Sequence, residues 1–323
     1  MIQSTCRLLL CLCLAADRAA AQSPPSPAAD AVPAVAPTLA DVPYGPHPKQ
    51  VLHFWTAKSD KPAPLLFFIH GGGWVAGHRL STLGTILEEV LAARIAVVSI
   101  EYRFVTDAYA ANVKPPVKWP LEDAARALQF VRSKAAQWNI DKSRIGASGS
   151  SAGACSSLWL AFHAEMADPV SPDPVAREST RLFCAAVHKA QTTLDPQQMQ
   201  AWTPNSRYGG HAFGFMPDPT DLKTRDTQFA QFLAARDTVL EWIEAYSPWA
   251  HVSADDPPVY LYYTTPPALG QVEADPTHTA NFGVKLQERC RAVGVECEVF
   301  WPGAPDAKHA TIQSYLIERL KAF

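Results

Sequence analysis

The sequence predicts an α/β fold, with a mostly parallel central sheet, helices on both faces and a small insertion near one end. Three observations carry this. Apolar runs such as LLFFI (65–69) and IAVVSI (95–100) alternate with helix-like stretches such as 82–93 and 121–138. The runs show no polar alternation, as strands buried on both faces do not. RIGASGSSAG (144–153) then sets Gly149-Ser150-Ser151-Ala152-Gly153, a Gly-x-Ser-x-Gly, between a strand and a helix.

The first residues read as a signal peptide, 1–21. Arg7 precedes a short apolar core at 8–16, and Ala19, Ala20 and Ala21 offer a small-residue cleavage site before Gln22. The expected location is exported, periplasmic or extracellular. Residues 22–48 are rich in Pro and Ala and read as a linker. The folded domain is expected over 49–323. Strands are predicted at 51–56, 65–69, 95–100, the run before Ser151, 182–187, 259–263 and 295–301. Helices are predicted at 82–93, 121–138, after Ser151, at 282–292 and at 311–323. In the first of these, Leu83, Ile86, Leu87, Val90 and Leu91 repeat at the helical period. Between 195 and 250 the alternation breaks, which marks a cap or insertion with a helix around 229–246. Its Trp202, Tyr208, His211, Phe213 and Phe215 suit a pocket wall; a surface excursion is the plain alternative.

Of the 323 residues 48% are hydrophobic and 18% charged, an ordinary globular balance. The net charge of −3, without a Lys/Arg block, gives nucleic acid or an anionic membrane no electrostatic support. The run at 8–16 is too short to span a bilayer. Seven cysteines occur, and Cys6, Cys11 and Cys13 lie in the leader. For Cys155, Cys184, Cys290 and Cys297, a Cys290–Cys297 disulfide and four buried thiols are equally open readings. No CxxC or HExxH spacing suggests a metal, and no cofactor is expected.

Ser151 is the candidate nucleophile; Ser148 is not, because Gly146–Ser150 ends in Ser rather than Gly. The glycine run after the 65–69 strand, His70-Gly71-Gly72-Gly73-Trp74, is the candidate oxyanion loop. Gly71, Gly72 and Ala152 are assigned as N–H donors, with Gly73 an alternative. His70 reads as an anchor for that loop, and Trp74 and His211 are assigned to substrate contact. The base is placed at His309, in the loop after the last strand. The acid is placed at Asp275, with Glu273 its competitor. The order Ser151…Asp275…His309 is the α/β-hydrolase order.

HGGGW, GSSAG, DPTH and the late His309 resemble the hormone-sensitive-lipase-like branch of the α/β-hydrolases. They are most similar to bacterial carboxylesterases of the acetyl-xylan or feruloyl type and to kynurenine-formamidase-like enzymes. Unlike many lipase-like relatives, the chain has Ser150 rather than an acidic residue before the nucleophile. The resemblance implies an α/β-hydrolase catalytic domain over 49–323. It also implies a serine carboxylesterase that works through an acyl-enzyme without metal or cofactor. The expected substrates are acetyl or feruloyl esters of plant polysaccharides, or other small esters. A peptidase or amidase on the same fold and a catalytically silent binding protein are the alternatives.

Overall fold

The computed structural model describes residues 35–215 and 224–321. The expected leader, residues 22–34 of the expected linker, 216–223 of the insertion and 322–323 lie outside the described residues.

Among the described residues one sheet is built from β1 (Leu39–Pro43), β2 (Val51–Trp55), β3 (Ala63–Ile69), β4 (Ala96–Ile100), β5 (Ile140–Ser150), β6 (Cys184–His188), β7 (Val259–Tyr262) and β8 (Cys297–Phe300). The spatial order is β1-β2-β4-β3-β5-β6-β7-β8. β2 pairs antiparallel with β1 and β4, and every later pairing is parallel. The helices are α1 (Gly84–Ala92), α2 (Val105–Ala110), α3 (Lys118–Ser133), α4 (Ala135–Trp138), α5 (Ala152–Phe162), α6 (Pro196–Trp202), α7 (Arg225–Ala234), α8 (Leu240–Tyr246), α9 (Pro248–His251), α10 (Asn281–Val293) and α11 (Ile312–Lys321).

The linker boundary needs correction. β1 lies inside the stretch expected to be linker, so the folded domain begins before residue 49. Its mostly exposed edge position explains why no apolar run announced it, and an edge strand tolerates Pro43. The expected 121–138 helix is interrupted at Lys134 between α3 and α4, and α4 ends on left-handed Asn139.

The unbroken apolar runs follow from covering on both faces. Leu65, Phe67 and Ile69 of β3 enter one core with Leu128 of α3, Leu158 of α5 and Leu286 of α10. Leu66 and Phe68 enter the other with Leu87 of α1 and Leu316 of α11. Successive side chains of a strand point to opposite faces, so a strand covered on both sides must be apolar throughout. α5 is buried at every position, as a helix apolar all round should be. Strand order reverses direction between β3 and β5. Loops leaving their carboxyl ends therefore diverge and open a crevice there.

On the α1/α11 side, the loop from β8 to α11 is fastened by His309. The His309 amide donates to Glu298 Oε1 at 2.6 Å, and its Nδ1 meets Glu298 Oε2 at 2.7 Å. Its Nε2 lies 3.1 Å from Glu318 Oε2, and the Tyr260 hydroxyl donates to its carbonyl at 3.0 Å. Burial acts against a charge on His309, but Glu298 and Glu318 outweigh it and raise the pKa.

Two measurements test this framework. Phe67 is fully buried in the central strand, so Phe67→Ala should cost about 3–5 kcal/mol in urea unfolding. A group whose pKa rises on folding contributes stability that is fully present below its unfolded value, about 6.5 for His. That stability is lost as pH rises through the folded value. His309→Asn should therefore destabilise the protein more at about pH 5.5 than at about pH 9. Equal losses at the two pH values would refute a charged His309.

Candidate active site

β5 runs straight into α5, and Ser151 is the hinge between them. Its φ of 53° and ψ of −120° lie where side chains other than glycine are strained. Its amide donates to the His188 carbonyl at the end of β6, 3.0 Å away. The flanking glycines permit the turn: a Cβ on Gly149 or on Gly153 would collide with the Ile69 carbonyl oxygen of β3. Ser151 occupies the N-cap of α5, where serine usually accepts a helix amide, yet its side chain makes no capping bond. The hydroxyl is left for other work.

That work is with His278. Ser151 Oγ lies 2.9 Å from His278 Nε2, and His278 Nδ1 lies 2.9 Å from Asp275 Oδ2 and 3.1 Å from Oδ1. With the carboxylate accepting from Nδ1–H, Nε2 presents its lone pair to the serine proton. Asp275 and His278 share the loop from β7 to α10, and the His278 amide turns back to the Asp275 carbonyl at 3.2 Å. Buried Gln191 donates to the Thr277 carbonyl at 2.7 Å, which fixes the backbone beside His278. Asn205 brackets Glu273, donating to its carbonyl at 2.8 Å and accepting its amide at 3.1 Å. The Glu273 carboxylate accepts from the Thr279 hydroxyl at 2.8 Å, whereas that of Asp275 faces the imidazole.

The placement of the base at His309 is corrected here. Both its ring nitrogens are taken by carboxylates of β8 and α11, and the ring packs edge-on to Tyr260 and Tyr315. The histidine on Ser151 is His278, which the sequence reading passed over. Its signal was the Asp-Pro-Thr-His spacing, which sets acid and imidazole three residues apart on one turn.

The glycine loop leaves β3 beside the elbow. A Cβ on Gly71 would sit 2.6 Å from the Ser150 carbonyl oxygen and 3.5 Å from the Ser151 Cβ, so Gly71 abuts Ser151. Gly72, at φ 106°, turns the chain, and its carbonyl accepts the amides of Val75 and Ala76. Ala152 opens α5, where first-turn amides have no partner within the helix. His70 is the expected anchor. It is fully buried, stacks on Tyr102 at 4.3 Å, and its Nε2 meets Glu101 Oε1 at 2.8 Å. Burial raises the Glu101 pKa, but hydrogen bonds from His70 and the Arg79 amide more than offset it, and the net shift is downward.

Trp74 and His211 are also corrected, from substrate contact to support. Trp74 is fully buried and its indole donates to Ser156 Oγ at 3.0 Å, so the ring props the loop against α5. His211 is buried too, and its Nε2 donates to the Gly73 carbonyl at 2.9 Å. The aromatic stretch at 202–215 is no surface excursion: Phe213 and Phe215 line a cavity with Pro116 and Trp242, while Tyr208 and His211 are buried. Tyr208 and His211 pack on Trp74, and Phe213 stacks on Phe232 of α7. Tyr208 and His211 form a buttress behind the glycine loop.

The four described cysteines are free thiols, with Cys155, Cys184 and Cys290 buried. Among the described residues no group of three or more His, Cys, Asp or Glu is arranged to hold a metal ion. Nor is any described helix long and apolar enough to cross a membrane.

Known proteins share this architecture. An acetyl ester-xyloside bifunctional hydrolase from Caldicellulosiruptor lactoaceticus superposes with a TM-score of 0.57 at 22% identity, over 84% of this chain and 85% of that one. A truncated carbohydrate esterase from gut microbiota superposes with a TM-score of 0.63 at 17% identity, over 88% and 96%. These are likenesses of fold. In sequence, Esterase LipC of Mycobacterium tuberculosis (strain ATCC 25618 / H37Rv) is 33% identical over 114 residues, 34% of this chain and 26% of that protein. Across three such curated relatives the matched stretch spans between 22% and 33% of their own length. A family model described as BD-FAE matches residues 53–266, from β2 through the glycine loop and elbow to the end of β7, and the chain belongs to that family of α/β-hydrolases.

Proposed function

We propose that the protein is a serine carboxylic-ester hydrolase that works through an acyl-enzyme. The observation that carries this is the continuous contact from Ser151 Oγ through the His278 ring to the Asp275 carboxylate. His278 Nε2 takes the hydroxyl proton as Oγ bonds to the ester carbonyl carbon, and Asp275 stabilises the imidazolium that forms. The carbonyl oxygen becomes an anion met by amides of the Gly71–Gly72 turn and of Ala152. Such donors are each worth about 3 kcal/mol. The intermediate collapses by breaking the bond to the alcohol oxygen, which receives the proton from Nε2. Water then repeats the cycle against the acyl-serine and releases the acid.

Acetyl or feruloyl esters of plant polysaccharides, or other small esters, are the proposed substrates. The esterase and carbohydrate-esterase descriptions of the relatives support that class. Export of the mature chain belongs to the same reading and rests on the leader-like residues 1–21.

On 4-nitrophenyl acetate, Ser151→Ala and His278→Ala should each lower kcat by about 10⁶, and Asp275→Asn by about 10⁴. His309→Asn, if folded, should stay within about threefold of wild type, as a change remote from the chemistry should. Fluorophosphonate labelling of wild type but not of Ser151→Ala is the companion result. An unlabelled, folded wild type, or a His309 variant as dead as the His278 one, would overturn the assignment. Expressed with residues 1–21, the secreted protein should begin at Gln22 by N-terminal sequencing; an intact Met1 would refute cleavage there.

A further inference from the structure

Beside the elbow, on the α1/α11 face of the sheet, lies a cavity of about 290 Å³ that the chemistry above leaves unassigned. Phe68 of β3, Ile86 of α1, Ile312 of α11 and the ring of Tyr262 form its apolar walls. Ser150 and His188 supply polar groups, and Ser150 Oγ lies 3.2 Å from His188 Nδ1. No Asp, Glu, Lys or Arg lines it. The His188 ring is held neutral: burial foremost, then Lys189 and His278, push its pKa down to about 4. His188 Nε2 has no hydrogen-bond partner among the described residues and is not buried away from solvent.

Position says which part of an ester belongs here. The alcohol oxygen must come within reach of His278 Nε2 to collect its proton, so the alcohol lies on the His278 side of Ser151. The His188 carbonyl holds the Ser151 amide, and Tyr262 on the cavity wall ends β7, the strand whose following loop carries His278. The cavity therefore adjoins the leaving-group side. Size says how much fits. An apolar cavity of about 150 Å³ accommodates benzene, so this one has room for a single substituted ring but not a chain of them. Charge says what kind: an ion transferred here would lose its water and find no counter-charge.

We propose that this cavity is the leaving-alcohol subsite, that it takes one ring-sized alcohol group, and that it selects uncharged alcohols because no charged side chain lines it. The proposal rests on the ester-hydrolase reading and adds the alcohol specificity of that site.

The test uses acetyl esters that differ only in alcohol: ethyl, benzyl, 4-carboxybenzyl and 4-(trimethylammonio)benzyl. Wild type should prefer benzyl to either charged ester by about tenfold or more in kcat/KM. Ile312→Trp and Ile86→Trp, which fill the cavity from opposite helices, should each cut the benzyl-over-ethyl ratio by about tenfold. The order of ethyl acetate, propionate and butyrate should persist in both variants. Ratios within one preparation are insensitive to the fraction of folded protein, so a partly misfolded variant still gives a reading. Equal rates on charged and neutral alcohols in wild type would overturn the subsite while leaving the esterase reading intact. So would Trp variants that reorder the acyl series and leave the alcohol series unchanged. A wild type that hydrolyses none of these esters overturns both.

Discussion

The site depends on one constraint, the backbone of Ser151. A non-glycine residue at φ 53° and ψ −120° costs on the order of 1–3 kcal/mol, and it persists only where the surroundings over-determine it. Here they do so from three sides. β6 accepts the serine amide, β3 passes so close that residues 149 and 153 must be glycine, and α5 is locked by burial all round. The result is a serine that occupies a helix N-cap without capping. Its oxygen is turned out of the helix toward an imidazole, beside amides with no helical partner. Relaxing the turn would satisfy the cap and take the hydroxyl away from His278.

Three histidines on the C-terminal side of the sheet show how far neighbours set a role. His278 has a carboxylate on one nitrogen and a hydroxyl on the other, the arrangement of a base that cycles its proton. His309 has carboxylates on both and is held toward the charged form as a fastener. His188 has a hydroxyl on one nitrogen, is half-buried beside Lys189, and is held neutral. Neutrality matters to the pair. In the proposed mechanism, a positive His188 would oppose the imidazolium that forms at His278 during acyl transfer.

Most of the sheet could be read from the chain because β3, β4, β6, β7 and the second half of β5 are largely buried and so appear as runs of apolar and small residues. β1 could not, since an exposed edge strand carries no such pattern. The elbow was legible because its glycines answer a close approach that few other residues allow. Asp275 was legible from its place after β7. His278 was not, because chain order alone favours a histidine after the last strand, and His309 stands there. What disqualifies His309 is Glu298 on β8 and Glu318 on α11, which periodicity does not place beside it. Trp74 and His211 misled for a related reason. Aromatic density marks a pocket wall and a buried buttress equally well, and only burial separates them.

Putting acid and base on one loop alters what must be held still. When they stand on separate loops, each has to be positioned against the serine independently. Here Asp275 and His278 form one local turn, so their mutual geometry comes from three residues of backbone. The remaining freedom is the position of that whole turn relative to the elbow. Gln191, from the segment after β6, holds it at Thr277, and Asn205, from the insertion, holds it at Glu273. Asn281 at the start of α10 donates to the carbonyl of Trp202 and the hydroxyl of Thr203, also in the insertion. The same insertion reaches the glycine loop through His211. One segment thus braces the Asp275–His278 turn and the glycine loop together, and in the proposed mechanism it couples the proton-transfer and charge-stabilising halves of the site through a common support.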